Sequence, residues 1–564
     1  CVQDSLSRNN PYANPLSNPY TTGKARTAGV SAGGGNDLLR YFVSLTRQNE
    51  VGPYQMPDTD VKRITAERGI RPTGIQIRPN QLQQTSLRGN FSFALASKAT
   101  IDVNVGYTDR NLHTPFDGGF FAGMTFQLMT APGYAYNRTL GTQREFVGDI
   151  FSIEQRLSEQ RLTGSTTFNW NPLDWLQVHS VIGIDQNNQY NYRMQKNGEG
   201  TSVGVAWGPI GREGGKDADR INLNKTSFNA NATATRNLTS EITSKTTLGV
   251  QWFKDQTYDT FVEGYGLLPG ATSPNAAGRI RISSEFTTEN ATEGAFVEEQ
   301  LAWRDRLFGT VGVRQDKNSA FGRSVGNTQY PRASLSYLIS DEKWFPAIKY
   351  VDRLRLRTAW GKAGVQPTTI AALQFLSGAT YPIGGSEVPG LRLSSIGNPG
   401  LKPEVTTETE LGADFALLKE RINVELTYFS KQSHDALFSR PLPPSYGAGG
   451  SQFQNLASVE NTGVELSVDG QVIDRPYFNW RLRVGGSHLK NKLKDAGNVP
   501  LAVTPGNRQV VGYPLNGLWD RRIISYADAN GDGKITETEV VLSDTAQFKG
   551  STLPEWEAGV TNTF

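Results

Sequence analysis

Cysteine is almost missing from this sequence. The single copy, Cys1, rules out a disulfide framework within the chain. Long apolar runs are missing as well. No stretch approaches the roughly 18 apolar residues that a membrane helix needs, and the mean hydropathy is −0.45. That excludes a helical membrane protein and leaves a barrel open, because barrel strands are apolar on one face only. Neither sign of charge dominates. The net charge is +3 over 564 residues, so no nucleic-acid footprint is implied. The histidines His113, His179, His434 and His488 are scattered, with no HExxH, and there is no CxxC, Walker or dinucleotide glycine motif. His434-Asp435 reads as a solvated loop pair. Gly29-Val30-Ser31-Ala32-Gly33 matches the hydrolase elbow G-x-S-x-G, which needs a helix directly after it; here Gly and Asn lead into another strand. No enzyme is expected. The first residues look like a mid-protein loop, so Cys1 is expected to be internal to a longer protein and not a processed lipoprotein end.

What the chain has is glycine, 59 residues, and aromatics at 10%. Strands, turns and interfacial rings produce that composition. The clearest stretch is Glu404 to Tyr428. Val405, Thr407, Thr409, Leu411, Ala413 and Phe415 alternate with Glu404, Thr406, Glu408, Glu410, Gly412 and Asp414. After a short turn Ile422, Val424, Leu426 and Tyr428 alternate with Arg421, Asn423, Glu425 and Thr427. A period of two, repeated across a turn, is an antiparallel hairpin. Strands of about ten residues, apolar on one face and charged on the other, suit lipid outside and a wet lumen inside.

The rhythm recurs. Short turns fall near residues 35, 98, 173, 238, 305, 346, 418 and 474, with long polar loops between them. Short turns at one end and long loops at the other are the asymmetry of an outer-membrane barrel, with turns periplasmic and loops extracellular. The count is about 17 strands, too many for one twisted open sheet. Trp175, Trp303, Phe308, Phe415 and Trp480 stand beside the turns, where an aromatic girdle belongs. The expected fold is therefore all-β: a transmembrane antiparallel up-and-down β-barrel over residues 1–564. On the polar faces, Arg353, Arg355 and Arg357 are expected opposite Glu408, Glu410 and Asp414, and Arg481 and Arg483 across a turn from Glu465. Asn49 to Asn80 is expected to be loop, and Ser439 to Gln454 a mobile one.

AFVEEQLAWRDRLFGTVGVRQDKNSAFG at Ala295 to Gly322, LRLRTAWGKAGVQP at Leu354 to Pro367, NPGLKPEVTTETELGADF at Asn398 to Phe415, VENTGVELSV at Val459 to Val468, VGYPLNGLW at Val511 to Trp519 and DANGDGKIT at Asp528 to Thr536 follow in order. Together they resemble the barrel of SusC/RagA-type TonB-linked outer-membrane transporters, from about residue 27 onward. The resemblance implies a 22-stranded barrel, an N-terminal plug and TonB-contacting segment, and a SusD-like surface lipoprotein that lids the barrel and captures glycans or peptides. Plug and last strands are expected to lie outside this chain, since Asn562 interrupts the alternation before Phe564. The expected activity is TonB-dependent active import of oligomeric nutrients across the bacterial outer membrane. The alternatives are a passive porin-like channel and a surface-anchored calcium-binding adhesin.

Two stretches carry candidate sites. Asp528-Ala529-Asn530-Gly531-Asp532-Gly533-Lys534-Ile535-Thr536-Glu537-Thr538-Glu539 matches the calcium loop of EF-hands at each diagnostic position. Asp528, Asn530 and Asp532 would give side-chain oxygens, Lys534 its carbonyl and Glu539 a bidentate carboxylate. Hard oxygens suit Ca²⁺ better than Zn²⁺. The flanks are not helical, so a structural ion ordering an extracellular loop (residues 520–553) is expected. The second stretch, Thr114 to Tyr136, carries Phe116, Phe120, Phe121, Phe126 and Tyr134. Exposed rings there would grip sugars or peptides, or pack against a partner or plug.

Overall fold

The computed structural model describes residues 18–117, 123–124, 147–199, 213–322, 326–367, 370–446, 450–497 and 505–564. Cys1, Phe120, Phe121, Phe126 and Tyr134 lie outside them. The expected all-β character holds, with seventeen of the described strands in one up-and-down series. Among the described residues, no helix is long and apolar enough to cross a membrane.

The chain divides into two compact units, described separately. The first comprises Cys1–Pro172, His179–Asn229 and Phe253–Glu289, and the second Leu173–Val178, Ala230–Trp252 and Asn290–Phe564. In the first, β1 (Lys24–Gly35), β2 (Leu39–Val51), β3 (Gln81–Ala96), β4 (Ala99–Thr114) and most of β5 (Glu154–Leu173) pair antiparallel in sequence order. Gly29 to Gly33 lie inside β1, paired to β2, and no helix follows them. β6 (Leu176–Gln195), β7 (Gly215–Asn237), β8 (Ile242–Leu267) and β9 (Ala277–Trp303) contribute residues to both units.

In the second unit β9 continues into β10 (Leu307–Asn318), β11 (Thr328–Leu338) and β12 (Val351–Val365). A loop hairpin follows, β13 (Phe375–Ile383) and β14 (Ser386–Ser395), joined by Gly384-Gly385. The series resumes with β15 (Glu404–Leu417), β16 (Ile422–Pro441), β17 (Ser451–Arg475) and β18 (Phe478–Asp495). Next come β19 (Gly506–Arg508), β20 (Gly517–Tyr526) and β21 (Val540–Ser551), a small sheet of their own, and then β22 (Trp556–Thr563), which pairs with β18.

The antiparallel hairpin expected over Glu404 to Tyr428 forms from β15 and β16, with Leu411 opposite Tyr428 and Ala413 opposite Leu426. Its apolar side chains are exposed, Leu411 at 53% and Tyr428 at 47%. The same holds along the series, for example at Leu87, Ile182, Val250, Val311 and Leu466. Water would not tolerate so continuous an apolar surface; a bilayer would. Burial is found elsewhere, at the long-loop ends. One core gathers Met56, Ile64, Phe116, Met124, Ile150, Phe151 and Ile153 in the first unit, and a second gathers Ala436, Ala457, Val459, Leu493 and Ala496 in the other.

Three expectations need correction. Asn49 to Asn80 is not simply loop: it holds helices α1 (Asp58–Arg68) and α2 (Gly74–Ile77). Pro57 before two acidic residues and Gly69 at the end are ordinary helix start and stop signals. Ser439 to Gln454 begins and ends as strand, Ser439–Pro441 in β16 and Ser451–Gln454 in β17, with a 3-10 turn at Pro444–Tyr446. Arg481 and Arg483 pair with Asp469, at 2.7 and 2.9 Å, and not with Glu465, because the register sets Arg483 opposite Asp469 and Glu465 opposite Ser487.

Candidate functional site

Strand alternation builds two kinds of surface. The polar face of the first unit lines a cavity of about 1060 Å³ with Ser86, Arg88, Asn104, Arg161 and Asp185 among its walls. Arg161 grips Asp185 through Nε at 2.8 Å and Nη2 at 2.6 Å. The polar face of the second unit bounds a cavity of about 560 Å³ lined by Glu298, Arg332, Trp360, Lys362, Glu408 and Glu410. Here Arg332 pairs with Glu298, and Lys431 reaches Glu408 at 3.0 Å. A further hollow of about 550 Å³ carries Glu425, Glu465 and Glu557 with Arg483. The register places Glu465 and Glu557 on either side of Ser487. That row is acidic and would hold cationic groups.

The expected arginine ladder forms, with fewer acids than expected. Arg355 and Arg357 share Asp414, at 2.6 and 3.1 Å, while Arg353 turns to Glu420 at 2.5 Å. Glu408 and Glu410 lie opposite Gly361 and Ala359, out of step with the arginines.

At the long-loop end of the first unit, α1, α2 and α3 (Val147–Phe151) close over the apolar core. Arg63 joins two nearly buried carboxylates, its Nη2 donating to Asp60 Oδ1 and Asp149 Oδ1 at 3.0 Å each. Gly148 N donates to Asp60 Oδ2 at 2.9 Å. Burial pushes the Asp60 carboxyl above its usual range, against the opposing pull of Arg63. Phe116 is 5% exposed and packs in this core, under the Arg193 guanidinium at 5.1 Å. Its ring therefore meets the apolar interior of the loop module and does not present a face to a ligand, a correction to the exposed-ring expectation. Nearby, Lys216 lies over Tyr192 at 4.4 Å and Arg220 over Tyr190 at 4.5 Å. Tyr192 donates to Glu154 at 2.6 Å, and burial first and this acid second push its hydroxyl up to about 12.

The segment Asp528 to Glu539 links β20 to β21 and is exposed. Asp528 Oδ1 accepts from Gly531 N at 2.7 Å and Asp532 N at 3.1 Å, and its Oδ2 accepts from Gly533 N at 2.8 Å. Glu539 folds back: Oε1 accepts from Ala529 N at 2.9 Å and Oε2 from Thr536 N at 2.9 Å. The backbone N–H of Thr536 is the main reason its carboxyl sits below the usual range. The first and last carboxylates of the motif are thus brought over one turn. An oxygen-only donor set of that kind fits Ca²⁺. Among the described residues no group of three or more His, Cys, Asp or Glu is gathered closely enough to hold a metal as it stands, so an ion would have to draw the carboxylates in.

Comparison with known proteins places this geometry. A family model described as TonB dependent receptor-like, beta-barrel matches residues 93–552. The TonB-dependent receptor P26 of Formosa agariphila is 24% identical over 588 residues, covering 95% of this chain and 55% of that protein. The TonB-dependent receptor SusC of Bacteroides thetaiotaomicron is 26% identical over 231 residues, covering 39% of this chain and 22% of its own length. The structure of the RagAB peptide transporter superposes with a TM-score of 0.77 at 16% identity, covering 98% of this chain and 61% of that one, a likeness of fold. The chain thus spans about half the length of the receptor P26.

Proposed function

Because the chain belongs to the TonB-dependent receptor-like β-barrel family, we propose that it forms the membrane-crossing part of an active importer of oligomeric nutrients. The chain is an outer-membrane β-barrel of a receptor and transporter family, not an enzyme. The observation that carries the proposal is the division of surfaces. Apolar rows such as Leu411, Leu426, Tyr428 and Leu466 face lipid, while charged rows such as Arg355, Asp414, Glu465 and Glu557 face the lumen, where a plug and a passing substrate would meet them. Energy would arrive through TonB. A SusD-like surface lipoprotein would supply capture. The loop sheet β20–β21 supports such a partner, since Ile523, Ile524, Tyr526 and Val541 are each more than half exposed in a sheet separate from the main strand series. Glycan and oligopeptide remain the two substrate classes; the acidic hollow with Glu425, Glu465 and Glu557 favours cargo or plug segments bearing basic groups.

Uptake by cells carrying or lacking the gene tests this. Labelled oligopeptides and oligosaccharides are supplied with TonB present or deleted. Uptake of one class that needs both the gene and TonB is expected. Uptake that persists without TonB would overturn active import and leave a passive channel.

The calcium loop belongs to the same proposal. Asp528, Asn530, Asp532, the Lys534 carbonyl and Glu539 would hold one Ca²⁺ and fix the β20–β21 connection in the geometry a partner needs. The fit rests on the convergence of Asp528 and Glu539 over one turn.

A further inference from the structure

One cavity lies on the lipid-facing side and not the lumen side. It is about 710 Å³, in the second unit, at the short-turn end of β16, β17 and β18. The register explains it. Ile422 stands opposite Gly470, and Gly470 opposite Leu482; one row further along, Val468 stands opposite Val484. Apolar side chains therefore ring a position that has none. A Cβ at Gly470 would come no nearer than 3.9 Å to Ile422 Cγ1 and the Leu482 carbonyl, ordinary van der Waals distance and not a tight backbone approach.

The rim of this gap is cationic. Lys419 and Arg421 of the β15–β16 turn line it, as does Tyr350. Lys349 Nζ sits 4.7 Å from the Tyr350 ring. Arg421 donates through Nη2 to the carbonyls of Gln471 and Val472, at 3.2 and 3.3 Å, beside a β-bulge, and meets no carboxylate among the described residues. Lys419 makes no ion pair or hydrogen bond among them. Of the neighbouring acids, Glu420 is taken by Arg353 at 2.5 Å, Asp469, on the opposite face, by Arg481 and Arg483, and Asp352 accepts from Glu420 N at 3.0 Å. The turn holding Lys419 is strained. Leu418, Lys419 and Glu420 have φ of 57, 62 and 60°, the left-handed region, without a glycine among them. Strain kept at such a turn points to a role for the side chains it displays.

An apolar trough closed at its headgroup end by two cations and an interfacial tyrosine is complementary to an anionic amphiphile. We propose that this groove is a specific site for an anionic glycerophospholipid of the turn-side leaflet. One acyl chain would lie over Gly470 between Ile422 and Leu482, with the phosphate between Lys419 and Arg421. The commitment is to a lipid and not to a free anion, because the walls below the cations are apolar.

The full chain purified in detergent, with folding verified by heat-modifiable gel migration, is titrated with phosphatidylglycerol and with phosphatidylcholine and read by native mass spectrometry. Tight uptake of one phosphatidylglycerol over phosphatidylcholine is expected. Lys419→Gln and Arg421→Gln should each weaken it about fivefold, the worth of one interfacial cation. Gly470→Leu, whose side chain would fill the groove without a tight contact at Cβ, should abolish uptake of that lipid while leaving the fold intact. Because Arg421 also braces the bulge, Lys419→Gln, which removes no contact, decides if the arginine variant misfolds. Equal retention of both lipids, indifference to Lys419→Gln and Gly470→Leu, or displacement of phosphatidylglycerol by millimolar inorganic phosphate would each overturn the proposal; the last would mark a free-anion site.

Discussion

Replacing Arg63 by Met should loosen the loop module of the first unit more than any other single change there. The Asp60 and Asp149 side chains are 1% and 3% exposed and both meet the Arg63 guanidinium, itself 17% exposed, while Arg68 stands 3.8 Å from Asp149 as a second cation. Removing one partner of a buried ionic cluster costs about 3–5 kcal/mol, because buried charge loses its counter-ion without regaining water. Two carboxylates remain, so repulsion adds to desolvation. Hydrogen exchange reads the loss directly. The amides of Val61 and Gly69, bonded to the Pro57 and Thr65 carbonyls, and of Met56, bonded to Ile77, report α1 and its anchorage. Their protection at neutral pH should fall by about two to three and a half orders of magnitude, while strand amides are unchanged. The acid dependence tests the cause. The Asp60 pKa is already raised, burial being the main reason. A group of that kind stabilises the fold fully below its unfolded value, near 3.8, and that contribution is lost as pH rises through the higher folded value. Taking Arg63 away removes the main opposing influence and moves the folded value higher still. The deficit of the variant should therefore shrink as pH falls from 8 toward 5, and Asp60→Asn added to Arg63→Met should recover part of it at neutral pH. A deficit below about 1 kcal/mol, or one independent of pH, would refute the ionic account and leave Arg63 as a packing residue.

Three further outcomes follow from named contacts. Asp219 is pushed up to about 6, burial first and its hydrogen-bonded neighbour Asp259 second; at about 3.3 Å per residue it lies roughly 60 Å along the strand from the short turn at Asn237, well outside the apolar band. Its contribution is complete below about 4 and lost as pH rises through about 6, so exchange at the long-loop ends of β7 and β8 should be more protected at pH 5 than at pH 7.5, and Asp259→Asn should remove the difference. Asp414→Asn, which strips Arg355 and Arg357 of their shared acid, should cost about 1 kcal/mol in urea unfolding of the folded chain, since cross-strand pairs are worth about 0.2 to 1 kcal/mol each; a loss of several kcal/mol would mean the pair is structural in a way exposed ion pairs are not. Calcium should protect the β20–β21 connection from proteolysis with saturation below millimolar, and Asp528→Asn with Glu539→Gln should abolish that protection; no saturable effect below millimolar would sink the calcium site.

The strands were legible because register is unforgiving. A slip of one residue at Leu411 would turn the whole row Thr407, Leu411, Phe415 toward water and Glu408, Glu410, Asp414 toward lipid. Alternation therefore fixes which face is which, and the turn at Leu418 to Arg421 fixes where the hairpin reverses. The loop-end structure was legible only in part. α1 carried its start and stop signals in Pro57, Asp58 and Gly69, and the β13–β14 hairpin its Gly384-Gly385 turn, signals the alternation overshadowed. The core joining Met56, Ile64, Phe116 and Phe151 brings together residues nearly a hundred positions apart, and no periodicity announces such a meeting.

The polar faces show where pattern stops and geometry takes over. Alternation correctly sets Arg355 and Arg357 on the same side as Glu408, Glu410 and Asp414. It does not say which rung meets which. The realised register puts Arg355 opposite Asp414 and Arg357 opposite Gly412. Gly412 has no side chain, and a Cβ there would stand 2.7 Å from the Arg357 Nε. That vacancy lets Arg357 lean across to Asp414 and leaves Glu410, opposite Ala359, turned toward the lumen cavity. Gly470 does the same on the other side of the wall, where the missing side chain opens the lipid-facing groove. In both places a residue that contributes nothing to the alternating pattern decides where its neighbours go. Filling Gly412 should therefore force Arg357 off Asp414 and change the charge of the lumen wall without disturbing the lipid face, whereas filling Gly470 should do the reverse.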